Sequence, residues 1–158
     1  MGWVTKAPMP TARQNLAAGV VDATLYAVGG LTASGQRTAV NEAYDPATDT
    51  WSSQAAMPTA RDSLAAGVVN GILYAVGGWT GARTAVNERY DPSTDTWSTR
   101  ASMPTARYDL AAGGVDSTLY AVGGRAPSTS DVNERYDPST DTWSSQAAMP
   151  TARQNLAA

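Results

Sequence analysis

The chain has 158 residues, a net charge of −3 from 11 basic and 14 acidic side chains, and 42% hydrophobic content with no phenylalanine. That is enough for one domain with a real core, while the absence of histidine and cysteine removes imidazole catalysis, His/Cys metal centres and disulfide frameworks. There is no basic run for nucleic acid, no apolar stretch near the ~18 residues of a membrane helix, and no basic-then-apolar leader, so neither nucleic acid nor membrane is expected as a partner and the cytoplasm is the default compartment.

In chain order, "MPTAR" at 9–13 precedes a run of small residues, "LAAGVV" at 16–21, suited to a crowded strand position where several inner strands converge. "TLYAVGG" at 24–30 alternates Leu25, Ala27 and Gly29 against Tyr26 and Val28, the period of two of a strand, and its Gly-Gly supplies backbone freedom for a sharp exit. "VNEAYD" at 40–45 places Val40, Glu42 and Tyr44 on one face of a third strand. "DPATDT" then reads as a turn, with Asp45 forming an Asx-turn and Pro46 presetting φ. A fourth strand starts at Trp51 and runs to Met57-Pro58. The 14 glycines and 9 prolines agree with many turns and short strands, and no segment has helical period.

The whole set then repeats. Trp3, Trp51, Trp97 and Trp143 each open a copy, at spacings of 48, 46 and 46, and the one length change falls just after Gly-Gly, which marks a surface loop. The units are 3–50, 51–96 and 97–142, with a partial fourth copy at 143–158, inside a single domain spanning 1–158. Four short strands per unit and a repeat in the mid-forties predict a β-propeller. Gly29-Gly30, Tyr44 and Trp51, then Gly77-Gly78, Tyr90 and Trp97, then Gly123-Gly124, Tyr136 and Trp143, together with "MPTAR" and "YDPxTDTW", resemble the kelch repeat. WD repeats would need Gly-His and Trp-Asp dipeptides, and neither occurs.

The fold expected from this resemblance is all-β, with kelch-type blades of four antiparallel strands, three per chain. Propellers close with about four to eight blades, so three blades leave two open faces, and two copies close a six-bladed homodimer with the commonest oligomer symmetry. A natural fragment and an engineered one both fit such near-identical units. At each seam of that ring, "MPTARQNLAA" at 9–18 and its identical twin at 149–158 compete for one place.

A residue type found in every unit answers the folding problem of a blade. On that ground "DPSTDT" is read as turn chemistry, since it lacks the spaced ligands and closing Glu of a calcium loop. Arg13, Arg61, Arg107 and Arg153 with Glu42, Glu88 and Glu134, and with the Asp of each "YDP", read as a structural ion-pair network. Function is sought where units differ: Gln14-Asn15, Asp62-Ser63 and Tyr108-Asp109 after the arginines, and Leu31, Trp79 and Arg125 after Gly-Gly. The kelch resemblance implies that these positions share one face around a central channel, where peptide or protein partners bind. Trp79, outside the repeated anchor, suits an interface; a carbohydrate reading uses Trp79 and Tyr108 for stacking and Asn15 and Asp109 for hydrogen bonds. No catalytic residue, cofactor or metal is expected. The copper-radical oxidases that also use kelch propellers need His ligands and a Cys-linked Tyr, which this chain lacks.

Overall fold

A computed structural model describes residues 2–156. A two-residue ribbon pairs β1 (Arg13–Gln14) with β4 (Leu31–Thr32), and every other strand belongs to one of three four-stranded antiparallel sheets. The first sheet is β2 (Ala17–Val21), β3 (Thr24–Val28), β5 (Asn41–Asp45) and β6 (Thr50–Gln54). The second is β7 (Ala65–Val69), β8 (Ile72–Val76), β9 (Asn87–Asp91) and β10 (Thr96–Arg100). The third is β11 (Ala111–Val115), β12 (Thr118–Val122), β13 (Asn133–Asp137) and β14 (Thr142–Ser145). Each sheet is a meander in which neighbours in sequence are neighbours in space, and the inner strands β2, β7 and β11 lie side by side. No helix is long and apolar enough to cross a membrane among the described residues.

The repeated Tyr and Trp face each other across the outer strand pair, Tyr44↔Trp51, Tyr90↔Trp97 and Tyr136↔Trp143, with ring centroids 5.0–5.1 Å apart. The outer strand is shorter than its sequence suggests. It ends at Gln54 rather than Met57-Pro58 because Gln54 pairs with Asn41, the first residue of β5, and the sheet offers no further partner. The turn before it forms as expected, with the Ala47 amide donating to Asp45 Oδ1 over 2.8 Å. Asp91 and Asp137 accept from Ser93 and Ser139 in the same way. The Asp of "YDP" is therefore a turn cap and stands apart from the buried arginines, since its carboxylate is held by amides two residues on. The second Asp of each turn adopts positive φ at Asp49, Asp95 and Asp141 and accepts the hydroxyl of Tyr44, Tyr90 or Tyr136 over 2.6–2.8 Å. That hydrogen bond is the main reason the Tyr44 hydroxyl is pushed up to about 12.

The hydrophobic core lies between the sheets. One cluster joins Val21, Tyr26 and Val28 of the first blade to Leu64, Leu73 and Tyr90 of the second. The other joins Val69, Tyr74 and Val76 of the second to Leu119 and Tyr136 of the third. The packing is knob into hole: a Cβ at Gly19 would collide with Leu73 Cδ1, and one at Gly67 with Leu119 Cδ1. The small residues of the inner strands thus leave room for the neighbouring blade's leucine. Leu73→Ala is expected to lower unfolding free energy by ~2–5 kcal/mol through the cavity it leaves, and Gly19→Ala by ~1–3 kcal/mol through overpacking of the same contact. Urea titration of both variants checks this.

Candidate functional site

Between consecutive blades the chain runs as an extended strap, residues 55–64 between the first and second and 101–110 between the second and third. Each strap holds both neighbours. Backward, Met57 N donates to Ala39 O at 2.9 Å and Gly30 N donates to Arg61 O at 2.9 Å. Leu64 and Met57 cover Gly29, where a Cβ would stand 2.7 Å from Arg61 O. With Gly29 and Gly30 at φ +67° and +106°, the Gly-Gly pair is what lets the strap backbone come this close. Forward, Ala55 N donates to Asp95 Oδ1 at 2.8 Å, the Trp97 indole donates to Ala55 O at 2.7 Å, and Thr59 Oγ1 donates to Glu88 Oε1 at 2.6 Å.

The strap arginine is the centre of the forward grip. Arg107 Nη1 donates to Gly123 O and Val132 O, and Nη2 to Ala121 O and to Glu134 Oε2 at 2.7 Å, with both side chains almost fully buried. Arg13 makes the corresponding set with Gly29 O, Val40 O, Ala27 O and Glu42, and Arg61 pairs with Glu88 at 3.1 Å. Burial pulls the Arg61 guanidinium down to about 10, opposed by the Glu88 charge, so it stays a cation at neutral pH. The planar fork reaches carbonyls of two strands at once, which an ammonium cannot do.

The end straps each make half of these contacts. Residues 7–16 grip forward only: Ala7 bonds Asp49 and Trp51, Thr11 bonds Glu42, and Arg13 sits in its cradle. Residues 147–156 grip backward only: Met149 N donates to Asp131 O, Gly124 N donates to Arg153 O, and Met149 and Leu156 cover Gly123. Among the described residues the Arg153 side chain reaches no carboxylate, only Met149 Sδ at 3.8 Å. The end faces are incomplete in the same sense. Leu25 and Tyr44 are half-exposed where Leu73, Leu119, Tyr90 and Tyr136 are fully buried. On the far face Val115 is 55% exposed where Val21 and Val69 are 4% and 2%.

The positions that vary between units also come together. Gln14 pairs with Leu31, Asp62 with Trp79, and Tyr108 with Arg125, one short bridge per blade. Next to them Asn15, Ser63, Asp109 and Asn155 all take φ of 54–55°. They form a backbone ladder: Ser63 N donates to Asn15 O, Asp109 N to Ser63 O, and Asn155 N to Asp109 O, at 2.8–2.9 Å. These four line a cavity of about 180 Å³ beside the inner strands. Trp79 packs edge-on against Tyr108, with centroids 5.0 Å apart. Asp62 is paired with Arg37 at 2.8 Å rather than with Arg125, which is exposed. Arg37 opens the same Arg-Thr-Ala-Val-Asn-Glu run as Arg83, and only the folded chain shows that it reaches Asp62.

Four-stranded meanders stacked face to face, with their inner strands together and a strap between each pair, are the blades of a β-propeller. The kelch motif matches residues 12–58, 60–104 and 106–150, and the chain belongs to the kelch-repeat family. Kelch blades build protein-interaction modules, and kelch-repeat proteins are generally non-enzymatic scaffolds. No curated protein matches the chain.

Arg107→Met leaves Glu134 buried and uncompensated, and the expected cost is ~3–5 kcal/mol. Arg107→Lys does not restore the carbonyl cradle, whereas Arg107→Met with Glu134→Gln recovers part of the loss. Guanidinium titrations of the three variants check the order.

Proposed function

We propose that this chain is a non-catalytic half-propeller whose two open faces are each other's partner, so that two copies close a six-bladed ring. The observation that supports it most is complementarity. The first blade offers an unfilled leucine knob, Leu25, and the third offers Gly113 of β11 at the place where Gly19 and Gly67 receive Leu73 and Leu119. Tyr120 likewise stands where Tyr26 and Tyr74 meet Tyr90 and Tyr136 at 5.5 and 5.6 Å, and the half-exposed Tyr44 is the ring it would meet. A second copy thus repeats an interface that the chain already builds twice within itself.

The ring presents its varied positions at the channel mouth, and that is the face we assign to a peptide or protein ligand: Asn15, Leu31, Asp62, Ser63, Trp79, Tyr108, Asp109 and Arg125. The Trp79–Tyr108 pair is a rigid aromatic anchor beside polar neighbours, the chemistry of an interface centre. The same pair favours a carbohydrate reading, with Asn15 and Asp109 as the polar partners. Peptide display and a glycan array separate the two, with Trp79→Ala as the control that removes binding in either.

Leu25→Glu tests the ring. It puts a charge where closure needs a buried knob, yet in a single chain the position is at the edge. The expected result in sedimentation equilibrium is a fall from two chains to one with the circular dichroism of the sheets retained. A variant that still sediments as two chains overturns the closed ring.

A further inference from the structure

A six-bladed ring of two chains has four internal places for straps already filled and two seams, and each seam has two candidates of identical sequence, residues 9–16 of one chain and 149–156 of the other. Resting on the closed-ring reading, we infer that the leading strap, 7–16, closes each seam, and that the trailing strap, 147–156, is released as a free arm.

The first argument is where each strap branches from the folded chain. The leading strap runs straight into Ala17, a buried residue that opens the inner strand β2, pairs with Val28 and packs in the core between blades. To release that strap, the chain would have to turn aside at Leu16, among the converging inner strands. The trailing strap branches from the outer edge. Ser144, Ser145, Gln146, Ala147 and Ala148 are all exposed, and β14 stays paired with β13 whichever way the chain continues beyond it. An arm leaves the rim without disturbing a strand, and cannot leave the axis without doing so.

The second argument is what each strap holds. Releasing 7–16 withdraws a fully buried guanidinium from three carbonyls and from Glu42, whose side chain is 3% exposed. A buried carboxylate stripped of its cation is the costliest intermediate available here. Releasing 147–156 moves an exposed Arg153 and gives up backbone bonds, Gly124 N to Arg153 O and Arg153 N to Ser130 O among them, that the identical backbone of the leading strap can remake. The leading strap therefore keeps its forward grip and adds the backward one on the partner's third blade: Met9 and Leu16 over Gly123, and Arg13 O accepting from Gly124 N. The vacated backward site is the one the trailing strap leaves.

The duplicated sequence supplies its own test, because Thr-Ala-Arg-Gln-Asn-Leu is a tryptic site written twice, at Arg13 and at Arg153. The dimer fraction of the full chain is isolated by size exclusion, its mass is checked by light scattering, and it is digested briefly with trypsin and read by mass spectrometry. The expected result is cleavage after Arg153 at least tenfold faster than after Arg13. Equal rates at the two arginines, or faster cleavage after Arg13, each overturn the assignment while leaving the ring intact. A mass of one chain instead removes the ring itself, and the strap assignment with it.

Discussion

Everything in this fold hangs on a buried arginine held by carbonyl oxygens and one carboxylate. Arg13, Arg61 and Arg107 do not merely fill space. Each ties a strap, whose backbone grips the blade behind it, to the second and third strands of the blade ahead. The charge is tolerable because Glu42, Glu88 and Glu134 neutralise it and because the guanidinium of Arg13 or Arg107 donates to carbonyls of the second strand, of the glycine that ends it and of the residue just ahead of the third. The Gly-Gly pair, the glutamate and the arginine are thus one device spread over 28 to 30 residues of sequence. Loss of any one part leaves a polar group in the interior without a partner.

The same logic leaves the outer faces of the first and third blades uncovered. With the hydrophobic clusters placed between sheets and not within them, three blades give two cores and two unfinished faces. A helical bundle or a sandwich can trim its ends with polar residues, and solenoids use capping repeats for that purpose. Here the first and third blades carry the same knobs and holes as the middle one, and their end straps carry half-made grips. In the proposed ring a second copy would remove both deficits with contacts of the kind that the chain already makes between its own blades.

The sequence made the architecture legible because repetition amplifies weak signals. A single "TLYAVGG" is an ambiguous strand, whereas the pattern of Gly-Gly, Tyr and Trp three times over fixes strand count, turn type and register. The Arg–Glu pairing was also readable, since both residue types recur at fixed places. What could not be read was geometry that depends on approach. Asp45 can be read both as closing its own turn and as a partner of the buried arginine; that it closes the turn and leaves the arginine to the glutamates, or that Asp62 finds Arg37 across a blade boundary, shows only in the folded chain. The left-handed ladder through Asn15, Ser63, Asp109 and Asn155 was hidden as well, because four different neighbourhoods share one φ. The positions that differ between units stand out by their variation alone, and their pairing as Gln14–Leu31, Asp62–Trp79 and Tyr108–Arg125 is a property of the folded chain.

Two interfaces between blades are made within the chain, and the proposed ring adds one across each seam. The solution mass of the 158-residue chain addresses this most directly, by multi-angle light scattering at micromolar concentration. A mass of two chains is the predicted result; a mass of one chain, or of three, contradicts it.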